Sequence, residues 1–253
     1  MKNNDKLKNF EAKQQLIAKR KARGPRDNRI AVLAGAGALL VALLGQLAYF
    51  GFGPGFVPQD QTVAEESTAP EATNEPNSSQ VPDPALAEGR IWNASLNLNS
   101  EAVSFELDGV NAPQAVANFV SLAQSGFYED VSCHRLTTAG IFVLQCGDPD
   151  GTGAGGPGYN FGPIENAPAD DTYAEGTLAM ARVGGDGSSM GSQFFIVYDE
   201  SMIPSDSAGG YTVFGKVTGG LDAIKAIAAA GTSNGSGDGS PVEAVLMSSI
   251  SVE

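Results

Sequence analysis

The sequence has one histidine, two cysteines and one tryptophan in 253 residues. One imidazole and two thiols cannot make a closed zinc site without carboxylates. Two cysteines also exclude a disulfide-dense scaffold. Basic residues are scarce over most of the chain. Ten of the fifteen Lys and Arg fall in residues 1–29, and only Arg90, Arg135, Arg182, Lys216 and Lys225 follow, against 26 acids. A body that acidic repels phosphate backbones, which argues against nucleic-acid binding. Glycine is abundant, at 32 residues, and favours turns and short strands over a helical bundle.

Long apolar runs are also missing, with one exception. Ile30 to Phe50 carries no charge, and charge does not return until Asp60. Such a run is long enough to cross a bilayer as a helix. The ten cations before it would keep the N-terminus in the cytoplasm. The expected organisation is therefore a basic cytoplasmic segment (1–29), a transmembrane helix region (30–56), a linker (57–88) and a folded domain (89–253). The linker holds five prolines, seven acids and no Lys or Arg, a composition expected to be disordered. The expected location is the plasma membrane, single-pass, with the folded domain outside.

Within 89–253 the pattern is mostly strands. Alternation marks Arg90–Leu98 and Ala102–Leu107. Shorter runs at Cys133–Thr137, Ile141–Gln145, Gly176–Ala181, Gln193–Tyr198 and Thr212–Val217 are split by Gly- and Ser-rich turns. Val242–Val252 would close the sheet. One helix is predicted after Asn111 as cap, with Pro113 in its first turn and Gly126 as its stop. A second spans Leu221–Ala230 and ends at Gly231. Gly231–Pro241 reads as a loop. This suggests a mainly β domain, a closed antiparallel barrel with two helices on it.

Three motif matches lack their structural context. Gly151-x-Gly153-x-x-Gly156 is followed by Pro157 and no helix, so it does not form a dinucleotide cradle. Asp148-Pro149-Asp150-Gly151 starts like a calcium loop, but its twelfth position is Tyr159. Gly187-Ser188-Ser189-Met190-Gly191 resembles a hydrolase elbow, yet a strand follows it and the lone His134 precedes it. Cys133 and Cys146 lie on adjacent predicted strands, where they would form a disulfide or remain as two buried thiols. Nothing implies a cofactor or a metal.

A different set of blocks occurs in order: Cys133-His134-Arg135-Leu136, Gly140-Ile141-Phe142-Val143-Leu144-Gln145-Cys146-Gly147-Asp148, Leu178-Ala179-Met180-Ala181, Gly191-Ser192-Gln193-Phe194-Phe195-Ile196 and Val213-Phe214-Gly215-Lys216-Val217. This resembles the cyclophilin family of peptidyl-prolyl cis–trans isomerases, in particular membrane-anchored actinobacterial forms. The resemblance implies an eight-stranded closed barrel capped by two helices, and X–Pro bonds of extracytoplasmic proteins as substrate. It implies that Arg135 is the catalytic donor, with Gln145 orienting it and Phe142 beside it. Val143, Phe195 and Ile203 would wall a proline pocket, and Tyr211 would stand where the family has a histidine. Ala181 and Arg182 would form the platform gripping the peptide, with Gln193 beside the groove. His134 would be structural. The sequence departs from the family at several points. Two extra residues separate Arg135 from Gln145, Val143 replaces a methionine, and the pocket tryptophan is absent. Weak cyclosporin binding at most is expected. A peptide-gripping module without turnover and a serine hydrolase using Ser189 are the competing readings.

Overall fold

The computed structural model describes residues 77–253. The basic segment, the apolar run and residues 57–76 of the linker lie outside the described residues. No helix among the described residues is long and apolar enough to cross a membrane.

The chain begins with a short 3-10 turn, Pro84–Ala87, capped by the Asp83 carboxylate. Strands β1 (Ile91–Leu98) and β2 (Glu101–Asp108) then form a hairpin in continuous register from Ile91↔Asp108 to Leu98↔Glu101. Its two-residue turn puts Asn99 at φ 55°, a left-handed conformation that asparagine tolerates. Helix α1 (Pro113–Gln124) packs Ala115, Val116, Phe119 and Val120 fully into the core. It ends where Gly126 N–H donates to Ala123 and Phe127 N–H to Leu122, so a glycine at φ 74° satisfies the last carbonyls.

There follow β3 (Arg135–Thr137), β4 (Val143–Cys146), β5 (Thr172–Tyr173), β6 (Thr177–Met180), β7 (Phe194–Val197), β8 (Ser201–Met202), β9 (Val213–Gly219), α2 (Leu221–Ala230), β10 (Asp238–Gly239) and β11 (Met247–Val252). Nine strands make one antiparallel sheet in the order β10-β3-β4-β7-β6-β9-β2-β1-β11, and β5 pairs with β8 separately. The expected eight-stranded closed barrel is corrected to a nine-stranded half-barrel. Its edge strands β10 and β11 do not pair. Across that gap stand only the Ser132↔Leu246 bridge and main-chain bonds such as Cys133 N–H to Val245 O, 2.9 Å. Residues 240–246 bend between the two edges, so the strand expected from Val242 starts only at Met247.

Two further expectations need correction. Asn111 does not cap α1, because Asp108 captures its amide and side chain. The N-cap is Ala112, which has no capping side chain. Glu165 supplies the missing acceptors from 50 residues away, taking Gln114 N–H and Ala115 N–H at 3.0 Å each. A carboxylate at a helix N-terminus satisfies both the free amides and the dipole. Burial raises the Glu165 pKa, while those two amides pull it back. Residues 77–88 are ordered and belong to the domain. Asn77 Nδ2 donates to Gln114 Oε1 and Gly162 O, Gln114 Nε2 donates to Pro82 O, and Ala87 is fully buried.

The sheet separates two apolar clusters, and strand parity assigns each residue to one of them. Even-numbered Leu144, Cys146, Leu178, Met180, Phe194 and Ile196 face the main core under α1. There Phe119, Tyr128, Phe194 and Phe214 pack ring against ring at 5.2–6.4 Å. Odd-numbered Val143, Ala179, Phe195 and Val197 face the other side and join Tyr173 and Ile203, with Ile141, Ala181, Tyr211 and Val213 against them.

Candidate active site

This second cluster is the floor of a cavity of 460 Å³, lined among others by Arg135, Ile141, Val143, Gln145, Ala181, Arg182, Phe195, Ile203 and Tyr211. The floor is apolar because adjacent strands contribute odd positions side by side: Gln145 faces Phe195, and Ala179 faces Phe195 from the other edge. Tyr211 and Phe195 meet edge to face at 5.5 Å, and Ile203 is nearly buried.

One rim is polar. Arg135 and Gln145 are register partners on β3 and β4. Arg135 Nη1 donates to Gln145 Oε1 at 3.3 Å, Gln145 Nε2 donates to Gln193 Oε1 at 2.9 Å, and Gln193 Nε2 donates to Gly155 O at 2.8 Å. On its other side Arg135 Nε and Nη2 donate to the two oxygens of Asp238 at 2.9 and 2.7 Å. Hydrogen bonding to Asp238 raises the arginine's already high pKa and lowers that of the aspartate. The guanidinium stays charged at any working pH. Gln193 also lines a second cavity of 640 Å³ that shares Gln145, Ala181 and Arg182 with the first.

The site residues expected from the sequence are mostly gathered here: Arg135, Val143, Gln145, Ala181, Arg182, Phe195, Ile203 and Tyr211 all line the first cavity. Phe142 does not. It has the even parity of β4's core side, packs against the main core and meets Tyr198 at 6.0 Å. Ile141 takes its place at the wall. Counting back by twos from Gln145 would have found it. The Arg182 side chain is fully covered and spent on structure. It is doubly bonded to Asp206 at 2.9 and 3.0 Å, donates from Nε to Gly210 O and stacks on Tyr211 at 4.6 Å. Its hydrogen bonds hold the Asp206 carboxyl well below the usual range, helped by the Gly185 and Ala208 amides and by its charge. Asp238 is not among the residues the sequence points to. No local pattern signals it, since it stands 103 residues from Arg135.

The competing motifs have structural roles. Asp148 is buried and accepts N–H from Asp150 and Gly153. Burial works against its charge, but these amides and that of Gly155 lower its pKa overall. The Gly151–Gly156 loop thus folds around a carboxylate and opens no helix. Ser189 Oγ donates to Asp186 O at 2.7 Å and accepts Val183 N–H, with no histidine bonded to it. The serine-hydrolase reading is thereby corrected. Cys133 and Cys146 are joined as a disulfide that flanks the Arg135–Gln145 pair. Among the described residues no three His, Cys, Asp or Glu gather as a metal site.

His134 has two ring nitrogens, both buried and without a hydrogen-bond partner. Burial lowers its pKa and Arg135 adds to this, while Asp148 opposes. The unfolded chain therefore binds the proton more readily, and stability falls as pH drops below about 6.5. Melting temperature is expected to fall more between pH 7 and 5 in the wild type than in His134→Phe. The histidine is unique in the chain, so the difference isolates it, and Glu165, whose raised pKa acts in the opposite sense, cancels between the two. Equal pH dependence would refute this.

A family model described as cyclophilin type peptidyl-prolyl cis-trans isomerase/CLD matches residues 94–252. The probable peptidyl-prolyl cis-trans isomerase B of Mycobacterium tuberculosis is 41% identical over 188 residues, covering 69% of this chain and 58% of that protein. Its Mycobacterium leprae counterpart is 38% identical over 191 residues, covering 70% and 61%. The chain thus spans about three fifths of the length of these mycobacterial relatives. A crystal structure of a cyclophilin type peptidyl-prolyl cis-trans isomerase of Cryptosporidium parvum superposes with a TM-score of 0.55, and one of the same protein in the presence of the dipeptide Ala-Pro with 0.53, both at 28% identity. The first covers 65% of this chain and 98% of the other. With the ordered motif blocks, the half-barrel and the arginine beside an apolar cavity all in agreement, the chain belongs to the cyclophilin-type peptidyl-prolyl cis-trans isomerase family.

Proposed function

We propose that the protein accelerates cis–trans rotation of X–Pro bonds, with Arg135 donating to the prolyl nitrogen above the apolar floor. One observation carries this reading. A permanently charged donor is fixed on two sides, by Asp238 and Gln145, at the rim of a cavity floored by Val143, Phe195 and Ile203. X–Pro rotation passes through a state that has lost amide resonance, at a barrier of about 18–20 kcal/mol. The prolyl nitrogen becomes pyramidal and basic there. A charged donor aimed at it stabilises the twisted state more than the planar one, as catalysis requires. No bond breaks, so no nucleophile or cofactor is needed. The floor would take the proline ring. Ala181 N–H is already bonded to Gln193 O, which leaves the Ala181 carbonyl and the Arg182 main chain to pair with an extended peptide.

The test is exchange NMR on a proline-containing peptide with the full chain. Cis–trans exchange faster than in buffer supports the isomerase. Peptide binding without faster exchange would mean a gripping module instead.

Proline-containing segments of extracytoplasmic proteins are the proposed substrates. Support comes from the uncharged run 30–50 behind ten cations, which suits a single-pass, actinobacterial-type plasma-membrane anchor with the isomerase domain outside. Cysteine accessibility of a residue introduced near each end of the run would test that orientation.

Cyclosporin is expected to bind only in the micromolar range or weaker. The one tryptophan is remote from the cavity. Trp92 is buried in β1, its Nε1–H is committed to Ala87 O at 2.9 Å, and Arg90 stacks on its ring at 3.7 Å. An indole donor and its contact area are therefore missing from the pocket. Nanomolar binding by calorimetry would contradict this.

A further inference from the structure

Arginine has five N–H donors. Arg135 gives two to Asp238 and one to Gln145. Two remain, on a side chain that lines the proline cavity. Asp238 therefore controls which way the rest of the guanidinium can point.

Its perch is closely built. β10 pairs with β3 through Asp238↔Thr137 and Gly239↔Leu136, which brings the carboxylate alongside Arg135. Asn234 organises the turn ahead of it, accepting from Thr232 Oγ1 and Ser236 N–H and donating from Nδ2 to Asp238 O. A Cβ on Gly237 would stand 2.8 Å from Ala139 Cβ, and one on Gly239 2.6 Å from Asn234 Nδ2. The turn packs too closely at these two positions to take any side chain. The carboxylate it presents is 57% exposed, and an ion pair so exposed adds little to fold stability. Its effect on geometry is larger. A fork-on-fork pair fixes the guanidinium plane as well as its position, and preorganised donors stabilise charge in the transition state without moving at the moment of reaction.

We propose that Asp238 is a positioning residue that holds the Arg135 guanidinium in one orientation over the proline cavity, leaving its remaining donors for the substrate. This rests on the isomerase reading above.

The test compares the full chain as wild type, Asp238→Asn, Asp238→Glu, Arg135→Ala and the Arg135→Ala/Asp238→Asn double variant. Three quantities are measured: peptide exchange rate at saturation, peptide dissociation constant by chemical-shift titration, and the NMR order parameter of Arg135 Nε–H. Asp238→Asn should slow exchange roughly three- to tenfold with affinity changed less than about twofold. The Arg135 Nε–H order parameter should drop. Asp238→Glu should recover part of the rate, and the double variant should be no slower than Arg135→Ala alone. A purely structural role would not loosen Nε–H in a chain that still binds peptide. Wild-type exchange in Asp238→Asn, or effects that multiply in the double variant, would overturn the proposal. If the wild type does not accelerate exchange, the isomerase reading fails by itself. The order parameter then still decides whether Asp238 holds Arg135, and an unchanged value rejects it.

Discussion

Replacing Arg135 with alanine is expected to slow X–Pro exchange at least tenfold while the domain stays folded. The loss follows from the chemistry. The floor and the main-chain platform can still hold a proline peptide, but the charged donor that distinguishes the twisted amide from the planar one is gone. Such a loss lowers turnover more than binding. Tenfold corresponds to about 1.4 kcal/mol, a modest share of what one charge-assisted donor supplies in a sheltered site. The fold should tolerate the change, because the groups Arg135 leaves behind are not stranded. Asp238 is exposed, and Gln145 keeps its bond to Gln193. Arg135→Lys should fall between the two, since it keeps the charge but cannot span both Asp238 oxygens and Gln145. Exchange NMR for rate, with thermal melting for folding, checks all three proteins. An alanine variant that exchanges like the wild type would remove Arg135 from the mechanism.

Removing the Cys133–Cys146 disulfide should have the largest effect on stability. The bond joins residues 13 apart in sequence. Closing a loop of that size constrains the unfolded chain by about 3 kcal/mol. For a domain of this size that amounts to roughly 6–12 °C in melting temperature. Both cysteines are buried in the main core, so the Cys133→Ala/Cys146→Ala variant is the cleaner comparison, with reductant on the wild type as the second arm. The bond brackets the β3–β4 ladder that sets Arg135 opposite Gln145. Activity should therefore persist at 25 °C and disappear earlier on heating. Identical melting of the wild type and the double-alanine variant would show that the bond contributes nothing.

Much of this molecule is legible in its sequence, for physical reasons. Alternating burial identifies β1 and β2, and Gly126 and Gly231 mark where both helices stop. The ordered blocks around Arg135, Gln145 and Phe195 locate the cavity. What fails is whatever depends on strand parity or on distant partners. Motif matching points to Phe142, three residues before Gln145, while the two-residue period of β4 counted back from Gln145 points to Ile141. Asn111 looks like a helix cap until Asp108 captures it, and Glu165 can be recognised as the replacement only in three dimensions. Asp238 sits in a stretch of Gly and Ser with no periodicity at all. The sheet does not close because Val242–Leu246, despite the composition of a strand, meets the chain just before β3 only through the Ser132↔Leu246 bridge and the Cys133 N–H to Val245 O bond.

The ordered strap at 77–88 bears on how this domain can be cut out of its chain. Composition alone would put the cut at residue 89, after the last of the prolines and acids. That cut would uncover the Trp92 indole by removing its acceptor at Ala87, strip Gln114 of its bonds to Pro82 and Asn77, and expose the side of α1 on which the strap lies. A soluble fragment intended to represent the working domain should start no later than Asn77. One begun at 89 would report the activity of a trimmed molecule with a frayed first helix.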